Sequence, residues 1–192
     1  MVKIIVIGAS SGGLSAIKVL LQNLPPDLKS PIIIVQHRHR DSRDKLGDLL
    51  QQDTPLIVRE VEDKDEILSG YVYLAPADYH LLVEFGYFTL STDAPVSYAR
   101  PSIDVLFESA ADIYNEQVIG VILTGANEDG VQGLKMVKSH FGIAIVQEPT
   151  TAECAVMPKA AITAVAVDWI LSLEEIAKKL VYLCHYTNKQ RL

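Results

Sequence analysis

Three short stretches combine side chains capable of chemistry with turns that could aim them. The first is Gly8-Ala9-Ser10-Ser11-Gly12-Gly13. Its glycines allow a tight turn and close backbone approach. A helix after such a turn offers free N–H groups and the positive end of its dipole, which suit an anion or a developing oxyanion. The same residues also read as a plain N-cap through Ser10 or Ser11, or as a phosphate- or dinucleotide-binding loop. The second stretch is Gln36-His37-Arg38-His39-Arg40. Histidine is the side chain whose ordinary pKa, about 6.5, suits general-base work near neutrality. His37 and His39 could also pair on a metal, but alternate strand residues point to opposite faces, and no third ligand is evident. The third stretch is Gly125-Ala126-Asn127-Glu128-Asp129-Gly130. Asp129 could cap the following helix, or it could orient His37 and stabilise its cationic form. Glu128 is the fallback for that role. His80, His140 and His185 sit in no motif and read as structural or surface residues.

The elements that must position these residues follow from the apolar pattern. Strands are expected at Lys3–Ile7, Pro31–Gln36, Leu56–Val61, Val118–Thr124, Gly142–Gln147 and Asp168–Leu171. The unbroken apolar runs of the first two fit buried strands, and the alternation with helices implies a parallel sheet. Helices are expected at Gly12–Asn23, Ser42–Gln51, Ser102–Asn115, Val131–Ser139, Pro158–Ala164 and Leu173–His185. Pro25-Pro26 ends the first, and Pro158 suits the first turn of the fifth. Tyr71–Ala75, His80–Glu84 and Tyr87–Ser91 are short and strand-like with no room for helices between them. They predict an antiparallel hairpin or meander near residues 70–91. The expected fold is therefore α/β: an open, doubly wound, mostly parallel sheet with helices on both faces. Such sheets bind ligands outside the carboxyl ends of their strands, at a topological switch point. Ser10, His37 and Asp129 all lie at such ends. The order Ser, His, Asp is no objection to a triad, because triads are defined by geometry.

Composition narrows the classes. The 192 residues predict one domain over 1–186, with a frayed polar tail at 187–192. Two cysteines without a Cys-x-x-Cys exclude a disulfide scaffold and a thiolate zinc site. Seventeen basic against 24 acidic residues give a net charge of −7, which does not favour nucleic acid or an anionic membrane surface. No apolar run reaches transmembrane length and no signal peptide is recognisable, so the expected location is the cytoplasm. No cofactor or metal is expected.

Two other enzyme readings fare poorly. Short-chain dehydrogenases carry a Gly-x-x-x-Gly-x-Gly loop, whose last glycine position is Leu14 here, and none of the eight tyrosines has a lysine four residues later. The end of the second strand carries His and Arg rather than the acid expected for a ribose. Gly8-Ala9-Ser10-Ser11-Gly12 fits the Gly-x-Ser-x-Gly spacing of an α/β-hydrolase elbow. It follows the first strand, however, and lacks the acid-then-histidine order downstream. A non-catalytic module binding a signalling protein or a small anion in the strand-end groove is the reading from another class.

Taken together, the motifs resemble the catalytic domain of the chemotaxis protein-glutamate methylesterases. The resemblance runs from Ile-Val-Ile-Gly-Ala-Ser-Ser-Gly-Gly to about residue 180. It rests on the Gly8–Gly13 loop, Gln36-His37, Tyr73-Leu74-Ala75-Pro76, Arg100-Pro101-Ser102-Ile103-Asp104, Val121-Ile122-Leu123-Thr124-Gly125 with Asp129-Gly130, and Met157-Pro158. It implies Ser10 as nucleophile, His37 as general base and Asp129 as orienting carboxylate. It also implies hydrolysis of glutamate γ-methyl esters on chemoreceptor cytoplasmic helices, with receptor glutamines deamidated by some members. The turn amides of Ser11, Gly12 and Ala126 are the expected oxyanion and substrate donors.

The sequence departs from the family in places. Ala126 and Asn127 stand where the family often has Met-Gly, and Val156 replaces a glycine before Met157. Arg38, His39 and Arg40 replace Met-Pro-Pro and form a basic patch with Arg43 and Lys45. The patch is either a solvated surface run or, through Arg38 and Arg40, a complement to acidic receptor helices. Many members carry an N-terminal phospho-receiver domain, for which no room precedes Lys3. A stand-alone enzyme, controlled if at all by a separate regulatory protein, or a piece of a longer chain, is expected.

Overall fold

The computed structural model describes residues 3–38 and 46–186. Ile4–Ala9 forms β1, whose six residues are all buried. Such a run has no solvent face, so both faces must be covered, as happens when crossover helices lie above and below a parallel sheet. Helix α1 (Gly13–Gln22) follows, then β2 (Ile32–Gln36), α2 (Leu46–Gln51), β3 (Ile57–Glu60) and β4 (Tyr71–Leu74). Next come the hairpin strands β5 (His80–Val83) and β6 (Phe88–Ser91), α3 (Ile103–Tyr114), β7 (Val118–Ile122) and α4 (Val131–Ser139). The chain ends with β8 (Ile143–Gln147), α5 (Val156–Ala164), β9 (Trp169–Leu171) and α6 (Leu173–Tyr186). Single 3-10 turns at Asn115–Gln117 and Pro149–Thr151 were not expected from the sequence.

Seven strands form one sheet in the order β3-β4-β2-β1-β7-β8-β9. Every pairing in it is parallel. The chain moves from β1 to β2 on one side, and β7 pairs with β1 on the other. The switch point therefore lies between β1 and β7. Alternate residues of β1 feed two cores. Ile5 and Ile7 pack with α1 and α6, and Ile4 and Val6 pack with α3, α4 and the β5–β6 hairpin.

One expectation needs correction. Tyr71–Ala75 is not part of the antiparallel unit. Its residues 71–74 form β4, parallel to both β2 and β3 inside the main sheet, and only β5 and β6 make a hairpin. The crossover from β3 to β4 is a loop rather than a helix, so the usual helical signal of a parallel connection is missing. The full burial of Val72, Tyr73 and Leu74 is the trace of its interior position. The expected start of the second helix, residues 42–45, lies outside the described residues, as does the tail at 187–192.

Candidate active site

The β1 turn is tied to its neighbours by backbone and side-chain bonds. Ser10 N–H donates to Thr124 O at 3.0 Å, and Ser10 O accepts from Gly13 N–H at 2.8 Å. Gly12 takes φ 78°, a left-handed conformation that is cheap only for glycine, and this lets the chain drop from Ser10 into α1. Across the sheet, β1 and β2 pair with Ala9 beside Gln36. His37 N–H continues that ladder to Ala9 O at 3.0 Å. Gln36 then couples the two turns. Its Nε2 donates to Ser10 O and to His37 O, both at 2.9 Å. Thr124 closes the other side: its Oγ1 accepts from Cys154 N–H at 2.8 Å and lies 2.9 Å from Ser11 O.

Asp129 stands before α4 and reaches across to α3. Its Oδ1 accepts from Ser102 Oγ at 2.8 Å and Asp104 N–H at 3.0 Å; its Oδ2 accepts from Ile103 N–H at 2.7 Å. It is thus the N-terminal cap of a helix it does not belong to. Oδ2 also lies 2.7 Å from His37 Nε2. The Asp129 side chain is 1% exposed and that of His37 13%, so water screens the pair little. Burial pushes the Asp129 carboxyl up, but the bonds from His37, Ile103 and Asp104 outweigh it and hold the group below the usual carboxylate range. The carboxylate is therefore ionised near neutrality and can only accept, so the proton between it and His37 belongs to Nε2. The basic lone pair of His37 is then on Nδ1.

Ser10, His37, Arg38, Tyr98 and Asn127 line one groove of about 710 Å³. Among the described residues Ser10 Oγ makes no side-chain hydrogen bond, and His37 Nδ1 faces Asn127 Nδ2 at 3.1 Å. The backbone N–H groups of Ser11, Gly12 and Ala126 donate to no protein acceptor among the described residues. Arg38 lines the groove, but its guanidinium is paired with Glu60 and its side chain is 9% exposed. Arg40, like His39, Arg43 and Lys45, lies outside the described residues. Glu128 is exposed and faces a separate hollow between α4 and α5.

Sequence reasoning missed the roles of five supporting side chains. His80 is buried: its Nδ1 accepts from Ser102 N–H at 3.3 Å and its Nε2 donates to Ala94 O at 3.1 Å. Ser102 in turn donates to Asp129, so His80 and Ser102 buttress the carboxylate. Gln36 was legible as part of the Gln36-His37 motif, but not as the link between the two turns. Asn127 was legible only as a departure from glycine. Met157 packs so close to Gly125 that a Cβ there would meet its Cε at 2.5 Å and Ser10 Cβ at 3.0 Å.

An open parallel α/β sheet with serine, histidine and buried aspartate at three strand ends around its switch point defines the class: an α/β protein with a candidate acyl-transfer site. The CheB methylesterase family model matches residues 5–180, and the chain belongs to that family. A Leptospira interrogans (strain Fiocruz L1-130) protein, provisionally named a protein-glutamate methylesterase/protein-glutamine glutaminase, is 48% identical over 97% of both chains. An Anaeromyxobacter dehalogenans protein-glutamate methylesterase/protein-glutamine glutaminase is 39% identical over 93% of this chain and 52% of its own length. The chain thus spans about half of that relative. The crystal structure of the Thermotoga maritima CheB methylesterase catalytic domain superposes with a TM-score of 0.91 at 35% identity, covering 95% of this chain and 99% of that one.

Proposed function

We propose that this chain is a serine hydrolase that demethylates glutamate γ-methyl esters on chemoreceptor cytoplasmic helices and deamidates receptor glutamines. Ser10 is the nucleophile, His37 the general base and Asp129 the orienting carboxylate. The observation that carries this reading is the 2.7 Å contact between His37 Nε2 and a buried, ionised Asp129, in a groove shared with Ser10.

Each step balances with these groups alone. Ser10 Oγ attacks the ester carbon while its proton moves to His37 Nδ1, and the carbonyl π pair moves onto oxygen. The turn amides of Ser11, Gly12 and Ala126 are the donors available to that oxyanion; one such donor is typically worth about 2.7–4 kcal/mol. Collapse re-forms the carbonyl and expels methoxide, which takes the proton from Nδ1 and leaves as methanol. Water, deprotonated by His37, then attacks the acyl-enzyme. Its collapse returns that proton to Ser10 and frees glutamate as the carboxylic acid, which ionises by releasing its proton to solvent. An amide substrate follows the same path and releases ammonia. Arg38, although it is paired with Glu60, and Arg40, which lies outside the described residues, remain the proposed cations for acidic receptor helices, and such a substrate puts the chain in the cytoplasm.

The test is methanol release from a methylated chemoreceptor cytoplasmic fragment, wild type against Ser10→Ala. Release by wild type and none by the variant is expected. No release from folded wild-type protein on a validated substrate overturns the reading.

A further inference from the structure

Asn127 makes two bonds that fix its orientation. Its Oδ1 accepts from Asp129 N–H at 3.1 Å. Because the oxygen faces that donor, the amide nitrogen must face His37, and Nδ2 lies 3.1 Å from Nδ1. His37 has already committed its Nε2 proton to Asp129, whose ionised carboxylate cannot donate back. With the Asn127 NH₂ facing it, Nδ1 is the acceptor of that contact, and Asn127 fills it. This is the nitrogen that must accept the Ser10 proton if Ser10, His37 and Asp129 act together, and Ser10 Oγ makes no side-chain hydrogen bond among the described residues. Asn127 is also half-exposed on the wall of the groove it shares with Ser10.

We infer that Asn127 holds the base in reserve: its amide occupies His37 Nδ1 in the free protein and yields that place to Ser10 Oγ–H when substrate enters the groove. The inference rests on the catalytic reading above and adds a positioning residue to it. Its physical content is a competition between two donors for one lone pair. In the free protein the Asn127 amide wins, and the serine hydroxyl is left without its base. An incoming ester must displace the amide before attack, so encounter and activation are coupled. The amide stays anchored meanwhile, because Oδ1 keeps its bond to the Asp129 backbone.

The test uses the full chain and a fluorophosphonate probe, which needs an activated serine but no receptor. Asn127→Ala removes both bonds. Asn127→Ser keeps an oxygen that can accept from Asp129 N–H but is too short to reach His37. Both variants are expected to label at Ser10 faster than wild type. A net hydrogen bond of roughly 0.5–1.5 kcal/mol corresponds to about 2- to 12-fold. Slower or unchanged labelling in both overturns the inference, as does slowing in Asn127→Ala that Asn127→Ser restores, since that pattern belongs to a turn-former alone. The imidazole ¹⁵N spectrum of His37 is a second readout. It is expected to show the proton on Nε2 and an unprotonated Nδ1 whose resonance moves in both variants. A neutral ring protonated on Nδ1 overturns the inference. If neither wild type nor either variant labels at Ser10, the catalytic reading falls and this inference with it; if wild type labels at Ser10 and neither variant is faster, the inference falls alone.

Discussion

Asp104 and Asp129 cap each other's helices. Asp129, just ahead of α4, accepts the Ile103 and Asp104 amides at the start of α3. Asp104, in the first turn of α3, accepts Gly133 N–H in the first turn of α4 at 2.7 Å. The exchange sets the two helix N-termini side by side and fixes the carboxylate that faces His37. Gly130, at φ 97°, makes the approach possible; a Cβ there would come within 2.7 Å of Ile103 Cγ2.

Asp129 therefore has two roles that substitution can separate. Asp129→Asn keeps one of the two oxygens that accept from α3 but loses the carboxylate. Its kcat is expected to fall by about 10³- to 10⁴-fold with a smaller loss of Tm than Asp129→Ala. Asp129→Ala also uncaps α3 and strands buried amides, at a further cost of about 1–3 kcal/mol in denaturant melts. Equal stability of the two variants would show that the cap contributes nothing.

The paired carboxylates make a pH signature. Burial pushes the Asp104 carboxyl up against the bond from Gly133, and the Asp129 charge pushes it further. A carboxyl raised on folding destabilises the protein at pH values above its folded pKa, and that cost fades as pH falls to the unfolded value. Asp104→Asn, which keeps an acceptor for Gly133, is therefore expected to raise Tm at pH 7–8, with the gain vanishing near pH 4. A gain that is the same at both pH values would rule out the ionic origin. Asp129 has the opposite sign: its lowered pKa stabilises above the ordinary carboxylate range, and that contribution is lost as pH falls through the folded value.

Gln36 joins the nucleophile's turn to the base's turn through two carbonyls. Gln36→Ala is expected to lower kcat by about 10- to 100-fold with KM nearly unchanged, since misplacement of about 1 Å costs that much. Steady-state kinetics on a methylated receptor fragment checks it. A rise in KM alone would assign Gln36 to substrate binding instead.

Arg38 lies in the groove but is paired with Glu60. If its charge also serves receptor docking, Arg38→Glu should slow receptor turnover more at low than at high salt. Turnover that is unchanged at both salts would leave the residue with the Glu60 pair alone.

The interior of the sheet was legible in the sequence because its strands are buried and read as unbroken apolar runs, as in Ile4–Ile7 and Ile32–Val35, whereas the edge strands β3 and β9 are partly exposed. The strand-end placement of Ser10, His37 and Asp129 followed from those runs. What could not be read is whatever depends on pairing between distant segments. Nothing local marks β4 as an interior parallel strand, because its crossover carries no helix. Nothing near Ser102 or His80 shows that they serve a carboxylate at Asp129. Asn127 reads as a tolerant turn residue until the fold brings His37 beside it.

The central position of β1 has a consequence for how the protein is made. Strand β1 leaves the ribosome before all others, yet one of its two edges is paired only by β7, which begins at Val118. Until β7 emerges, that edge is an open template for other chains. The same wait applies to chemistry: a nascent chain holds Ser10 and His37 long before Asp129 exists to aim them. Hydrolytic competence should therefore arise in one step and late, as a property of the finished sheet rather than of any shorter piece.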